Sequence, residues 1–88
     1  MNPADKKRLR AKAHSLKPVI MIGQSGLTKA VLAEIELALD SHELIKVKIR
    51  AERAERQKVR DEICAVTGAE FIQNIGQILI IHRLNPEK

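Results

Sequence analysis

The period of the apolar positions changes several times along this chain, and each change predicts a new element. Asn2 followed by Pro3 is a good helix start, a capping side chain before a residue with fixed φ. The predicted first helix covers residues 3–14. Its apolar content is thin, Leu9 and some alanines, so loose packing with a basic face in solvent is expected. Lys17-Pro18 breaks it. Val19-Ile20-Met21-Ile22 is a short unbroken apolar run and predicts a strand buried on both faces. Leu27, Val31, Leu32, Ile35 and Leu39 recur at helical spacing and predict a helix over 28–41, with Glu34, Glu36 and Asp40 on its wet side. From Leu44 to Arg50 the period becomes two: Ile45, Val47 and Ile49 point one way, Lys46, Lys48 and Arg50 the other. A charged stretch follows, in which Ala54, Val59, Ile63 and Val66 predict a helical apolar stripe, closed by Gly68. Residues 70–75 and 78–84 read as two strands joined by a tight turn at Gly76-Gln77.

The order is therefore α-β-α-β-α-β-β. Strands separated by helices are expected to be parallel, with right-handed crossovers, and the final hairpin adds an antiparallel pair. The fold class is α/β, a two-layer or nearly three-layer sandwich on a four-stranded mixed sheet. With 88 residues, the chain is expected to be a single domain over 1–88, with a basic N-terminal helix at 1–14 and a frayed tail at 85–88.

Charge sharpens this picture. The net charge is +5. Residues 1–17 hold six cations against Asp5, and residues 46–60 hold seven against Glu52 and Glu55, +5 in each segment. Residues 27–44 hold Lys29 against four carboxylates, −3. A chain so polarised is expected to present a basic side that attracts polyanions, nucleic acid above all. No apolar run approaches the roughly 20 residues of a membrane span, and the basic N-terminus has no apolar stretch behind it, so a cytoplasmic protein is expected. Cys64 stands alone, without the partner a disulfide or a zinc site needs.

The candidate chemistry lies in Gly23-Gln24-Ser25-Gly26, between a strand and the start of a helix. Glycines allow close approach, and the helix start offers unpaired N–H groups, so a phosphate can sit there, with Lys29 adding charge. The motif is neither a dinucleotide fingerprint nor a Walker loop. A strand–GxxG–helix unit in a basic domain is the device with which KH-type domains clamp an RNA backbone. Phe71 is the only aromatic residue, and it is assigned to the core. Base-stacking modes that need exposed aromatics are thereby disfavoured, and the grip is expected on sugar and phosphate, with low sequence specificity.

LKPVIMIGQSGLTKAVLAEIELALDSHELIKVKI, the basic helix after it, and TGAEFIQNIGQILIIHR together resemble the CRM family (chloroplast RNA splicing and ribosome maturation domain), especially its stand-alone bacterial members. The likeness runs over residues 4–83. It implies a fold similar to the C-terminal domain of bacterial translation initiation factor three, RNA binding, and association with ribosomal RNA in large-subunit precursors. Position by position, Gly23, Gln24, Ser25 and Gly26 match the RNA-contacting loop. Both residues between the glycines are neutral here, where KH-type loops often carry a base. Weight therefore shifts to Lys29, to Lys6, Lys7 and Arg10 of the first helix, and to Lys46, Lys48, Arg50, Arg53, Arg56 and Arg60.

RNA is the expected partner of a monomeric chain, without membrane, small-molecule substrate, cofactor or metal. The alternative is a protein-interaction module whose acidic second helix or basic first helix docks on a ribosomal protein or another partner. An enzyme is disfavoured. His14, His42 and His82 are scattered and read as surface or half-buried residues. Cys64 reads as a small core residue with no base beside it, and Ser25 does not stand in the GxSxG of a hydrolase elbow.

Overall fold

A computed structural model describes residues 2–85, so the tail expected at 85–88 lies, but for Asn85, outside the described residues. Helix α1 spans Pro3–Ala13, strand β1 Ile20–Ile22, α2 Lys29–His42, β2 Leu44–Ile49, α3 Arg53–Thr67, β3 Glu70–Ile75 and β4 Ile78–His82. The sheet order is β1-β2-β4-β3. β1 runs parallel to β2, and β4 is antiparallel to both β2 and β3. This is the mixed four-stranded α/β fold that the pattern predicts.

Caps fix the helix ends. Asn2 Oδ1 accepts from the Asp5 amide at 2.8 Å, and Thr28 Oγ1 from the Val31 amide at 3.2 Å. Gly68 ends α3 at φ 73°, a left-handed position that costs a side chain free energy. Glu52, the N-cap residue of α3, makes no side-chain capping hydrogen bond.

The sheet is buried from both sides by separate clusters. On one face, Ile35 and Leu39 of α2 and Val59 and Ile63 of α3 pack on Ile20, Ile22, Ile45, Val47, Ile49, Leu79 and Ile81. On the other, Leu9 and Ala13 of α1 pack on Leu44, Ile72 and Ile80. Each leucine, isoleucine or valine among them, fully buried, stabilises the fold by about 1.5–3 kcal/mol. The strand period of two assigns neighbours to opposite faces, and a bulge between Phe71 and Gln73 resets it in β3. The molecule is therefore three-layered.

Four expectations need correction. β1 is buried on one face only, with Val19 and Met21 52% and 58% exposed, because β1 is an edge strand and none of its residues joins the cluster beneath α1. α1 is not merely loose: its single leucine and a fully buried alanine suffice, since Ala13 lets the helix approach the sheet closely. The Lys46 and Lys48 face of β2 is not purely basic, because Leu44 shares it and is buried under α1. In α3 the buried stripe is Val59, Ile63 and Thr67, while Ala54 and Val66 are exposed. Thr67 is tolerated inside because its hydroxyl donates to Ile63 O at 2.7 Å and accepts from the Ala69 amide at 3.2 Å. Among the described residues, no helix is long and apolar enough to cross a membrane.

Candidate nucleic-acid interface

Parallel pairing decides what meets the glycine turn. β1 and β2 point the same way, so their C-terminal ends, and the helices that follow them, start at one end of the sheet. β4 begins beside Lys48, which brings the β3–β4 turn to that end as well. Three backbone bonds tie it together: the Gly26 amide donates to Gly23 O at 3.1 Å, Arg50 N to Ile22 O at 2.9 Å, and Ile49 N to Gln77 O at 2.8 Å. The result is an open concavity lined by Gly23, Gln24, Arg50, Ala51, Glu52 and Gln77.

The two glycines differ. Gly26 has φ 72°, so the turn itself asks for glycine. Gly23 is outside the left-handed region, and a Cβ there would meet nothing within 4 Å. Among the described residues, no packing contact requires Gly23 to lack a side chain. Gln24 and Ser25 are exposed.

Positive potential at this end has two sources. The first-turn amides of α2 and α3 have no intrahelical acceptors, and only the Val31 amide is capped by a side chain. Lys29 and Arg53 occupy the first helical positions and are exposed, as is Arg50. Among the described residues, none of these three cations enters an ion pair. The Glu52 carboxylate lies between Arg50 and Arg53 and offsets part of their charge.

Other predicted cations are placed differently. Arg56 is half-buried, its Nη1 donating to Ala51 O at 2.6 Å, while its Nε is buried without an acceptor among the described residues. It holds the β2–α3 connection in shape. Arg60 lies 4.9 Å from the Phe71 ring centroid and pairs with Asp61 at 3.1 Å. Lys46 Nζ donates to Leu16 O at 3.0 Å, on the α1 face of the sheet. Lys48 is half-buried on that same face. Lys6, Lys7 and Arg10 lie on α1, and no residue of α1 lines the concavity beside the glycine turn.

Sequence reasoning did not anticipate Gln77, because the strand order that brings the hairpin turn here has no local signal. It also passed over Arg83. That guanidinium donates from Nη1 to Glu36 Oε2 at 2.7 Å and Thr67 O at 2.8 Å, and from Nη2 to Asp40 Oδ1 at 2.9 Å. The Glu36 hydrogen bond, above all, holds Arg83 above the usual arginine range. Glu36 and Asp40, expected on the wet side of α2, are thus tied to β4's exit. Burial pushes the Cys64 thiol up against the lowering effect of Arg60, which leaves it a poor nucleophile. No group of three or more metal-ligating side chains gathers among the described residues.

Comparison with known proteins adds to this geometry. The model of the CRS1 / YhbY (CRM) domain matches residues 1–83. The chain is 46% identical over 83 residues to a Pseudomonas aeruginosa protein named as a probable RNA-binding protein, covering 93% of this chain and 80% of that one. It is 46% identical over 88 residues to a Haemophilus influenzae RNA-binding protein, covering 99% and 89%. The solution structure of the Staphylococcus aureus protein SAV1595, proposed there to bind RNA, superposes with a TM-score of 0.84 at 27% identity, over 96% of this chain and 88% of that one.

Proposed function

This chain belongs to the CRS1 / YhbY (CRM) domain family, and from that premise we propose that it is a non-catalytic RNA-binding domain that grips the sugar-phosphate backbone at the Gly23–Arg50 end of the sheet. The observation that carries the reading is convergence. The glycine turn, two helix N-termini and three unpaired cations, Lys29, Arg50 and Arg53, belong to one end of the fold. Backbone N–H groups, helix starts and fixed cations are the groups that hold phosphate oxygens. The open approach at Gly23 supports contact with the backbone itself. Lys48 extends the cationic surface, whereas Lys6, Lys7, Arg10 and Lys46 belong to the α1 side and act at longer range. Arg56 and Arg60 add field more than direct contact, since their guanidinium groups are engaged within the fold.

The RNA we assign is ribosomal, in precursors of the large subunit, met in the cytoplasm; the resemblance to stand-alone bacterial members favours it. The competing reading, docking of the acidic second helix on a protein, is weakened because Arg83 already holds Glu36 and Asp40. Affinity for a large-subunit RNA fragment, measured by gel shift at increasing salt, tests the proposal. It should fall with a log–log slope of about −0.7 to −0.9 per phosphate neutralised, so a three-phosphate grip gives a slope of about −2 to −3. A flat response would remove the phosphate grip, and equal affinity for unrelated RNA of the same length would remove the ribosomal assignment.

A further inference from the structure

The α1 face of the sheet is only half covered. α1 lies over Leu44, Ile72 and Ile80. Beyond it, the pairing register sets one side chain from each strand in a row: Met21 beside Lys48, Lys48 beside Ile78, Ile78 beside Ile75. Residues directly opposite share a face, and Ile78 packs against the α1 cluster, which fixes that face. Met21 and Ile75, at the two sheet edges, are 58% and 54% exposed, and Lys48 and Ile78 are half-buried. Continuing the registers, the next row is Val19, Lys46, Ile80 and Gln73, with Val19 N donating to Lys46 O at 3.0 Å; Ile80 is buried under α1 there, so the open strip is the first row together with the flanking Val19 and Gln73. Neither row contains a carboxylate. Three strand intervals of about 4.8 Å make each row about 14 Å wide. Along β1 and β2 the first row lies two residues from Gly23 and from Arg50, and along β4 it is adjacent to Gln77.

We infer that this open half-sheet is a platform for unpaired RNA bases, laid flat on Met21, Ile78 and Ile75 while Lys48 faces the strand. The inference rests on the RNA-binding reading above and extends it from phosphate to base. Four-stranded sheets of this width seat two or three bases where aromatics line them. Here aliphatic and thioether groups supply the contact, by dispersion and by sulfur against the base ring. Such contact is sequence-tolerant, because every base has a π-face. A protein partner fits less well: the row has a cation at its centre, no anion, and direct continuity with the proposed phosphate grip.

The test uses the full chain and two octamers, oligoadenylate and an abasic ribose-phosphate strand of equal length. Oligoadenylate should bind about tenfold more tightly than the abasic strand. Met21→Ser with Ile75→Ser should erase that difference and leave abasic binding unchanged. In the unmodified protein, the Met21 ε-methyl and Ile75 δ-methyl proton resonances should move upfield with oligoadenylate and stay in place with the abasic strand. Equal affinities with unmoved methyls overturn the platform and leave the phosphate grip standing. Methyls shielded only by a bound protein overturn it in favour of protein docking. Failure of both octamers to bind removes this inference, while the large-subunit RNA titration separately decides the reading on which it rests.

Discussion

Arg83 and Arg50 follow neighbouring antiparallel strands, β4 and β2, and so leave opposite ends of one sheet, where the chain uses them in opposite ways. At Arg83 the C-terminal turns of α2 and α3 converge, through Asp40 and the Thr67 carbonyl, and the guanidinium answers them from within. At Arg50 the N-terminal turns of the same two helices begin, and the cations there reinforce the helix dipoles. One end of the fold satisfies its negative helix termini internally. At the other end a single side chain, Thr28, caps α2 and none caps α3, and among the described residues Glu52 is the one carboxylate lining the cleft. Formal charge per segment does not distinguish these roles; the direction of the strands does.

The comparison is broken most sharply by charge reversal. Arg50→Glu with Arg53→Glu should lower RNA affinity about a hundredfold in a gel shift, roughly 2.7 kcal/mol, yet leave thermal stability within about 0.5 kcal/mol, because both side chains are exposed. An unchanged affinity would mean that this end is not the grip. Next in size, Arg83→Ala should do the reverse. Loss of charge-assisted hydrogen bonds, discounted for the exposure of Glu36 and Asp40, should cost about 2 kcal/mol. Calorimetry should show a fall in Tm of about 10 °C, and affinity of the folded protein should hold. Smallest is a matched pair of glycines. Gly26→Ala and Gly68→Ala both place a side chain at φ near 70°, each costing about 1 kcal/mol. Urea denaturation should give similar losses, while only the Gly26 change weakens RNA binding.

The elements were legible in the residues because each rests on local signals: the Asn2-Pro3 start, the alternation from Ile45 to Ile49, the glycine at position 68. The glycine turn and Lys29 could be placed for the same reason. What could not be read is which neighbour each strand takes. Insertion of β4 between β2 and β3 brings Gln77 to the glycine turn, and α1 on the opposite face of the sheet from α2 separates Lys6, Lys7 and Arg10 from it. Arg56 looked like Arg53, three positions earlier, yet one is half-buried against Ala51 and the other exposed. That difference depends on how the chain turns from β2 into α3, which helical spacing does not encode. The exposure of Met21 was hidden by its apolar neighbours, since an unbroken run gives no sign of which face is covered.

The position of α1 also orders events during synthesis. It leaves the ribosome before any strand, but its seat is built from Leu44, Ile72 and Ile80. An eleven-residue helix is marginal in water by itself, and closing a loop of some sixty residues onto β3 and β4 carries an entropic cost that only the finished seat offsets. The nascent chain can therefore assemble its β1–α2–β2 portion early, while α1, translated ahead of every strand, is among the last elements to dock.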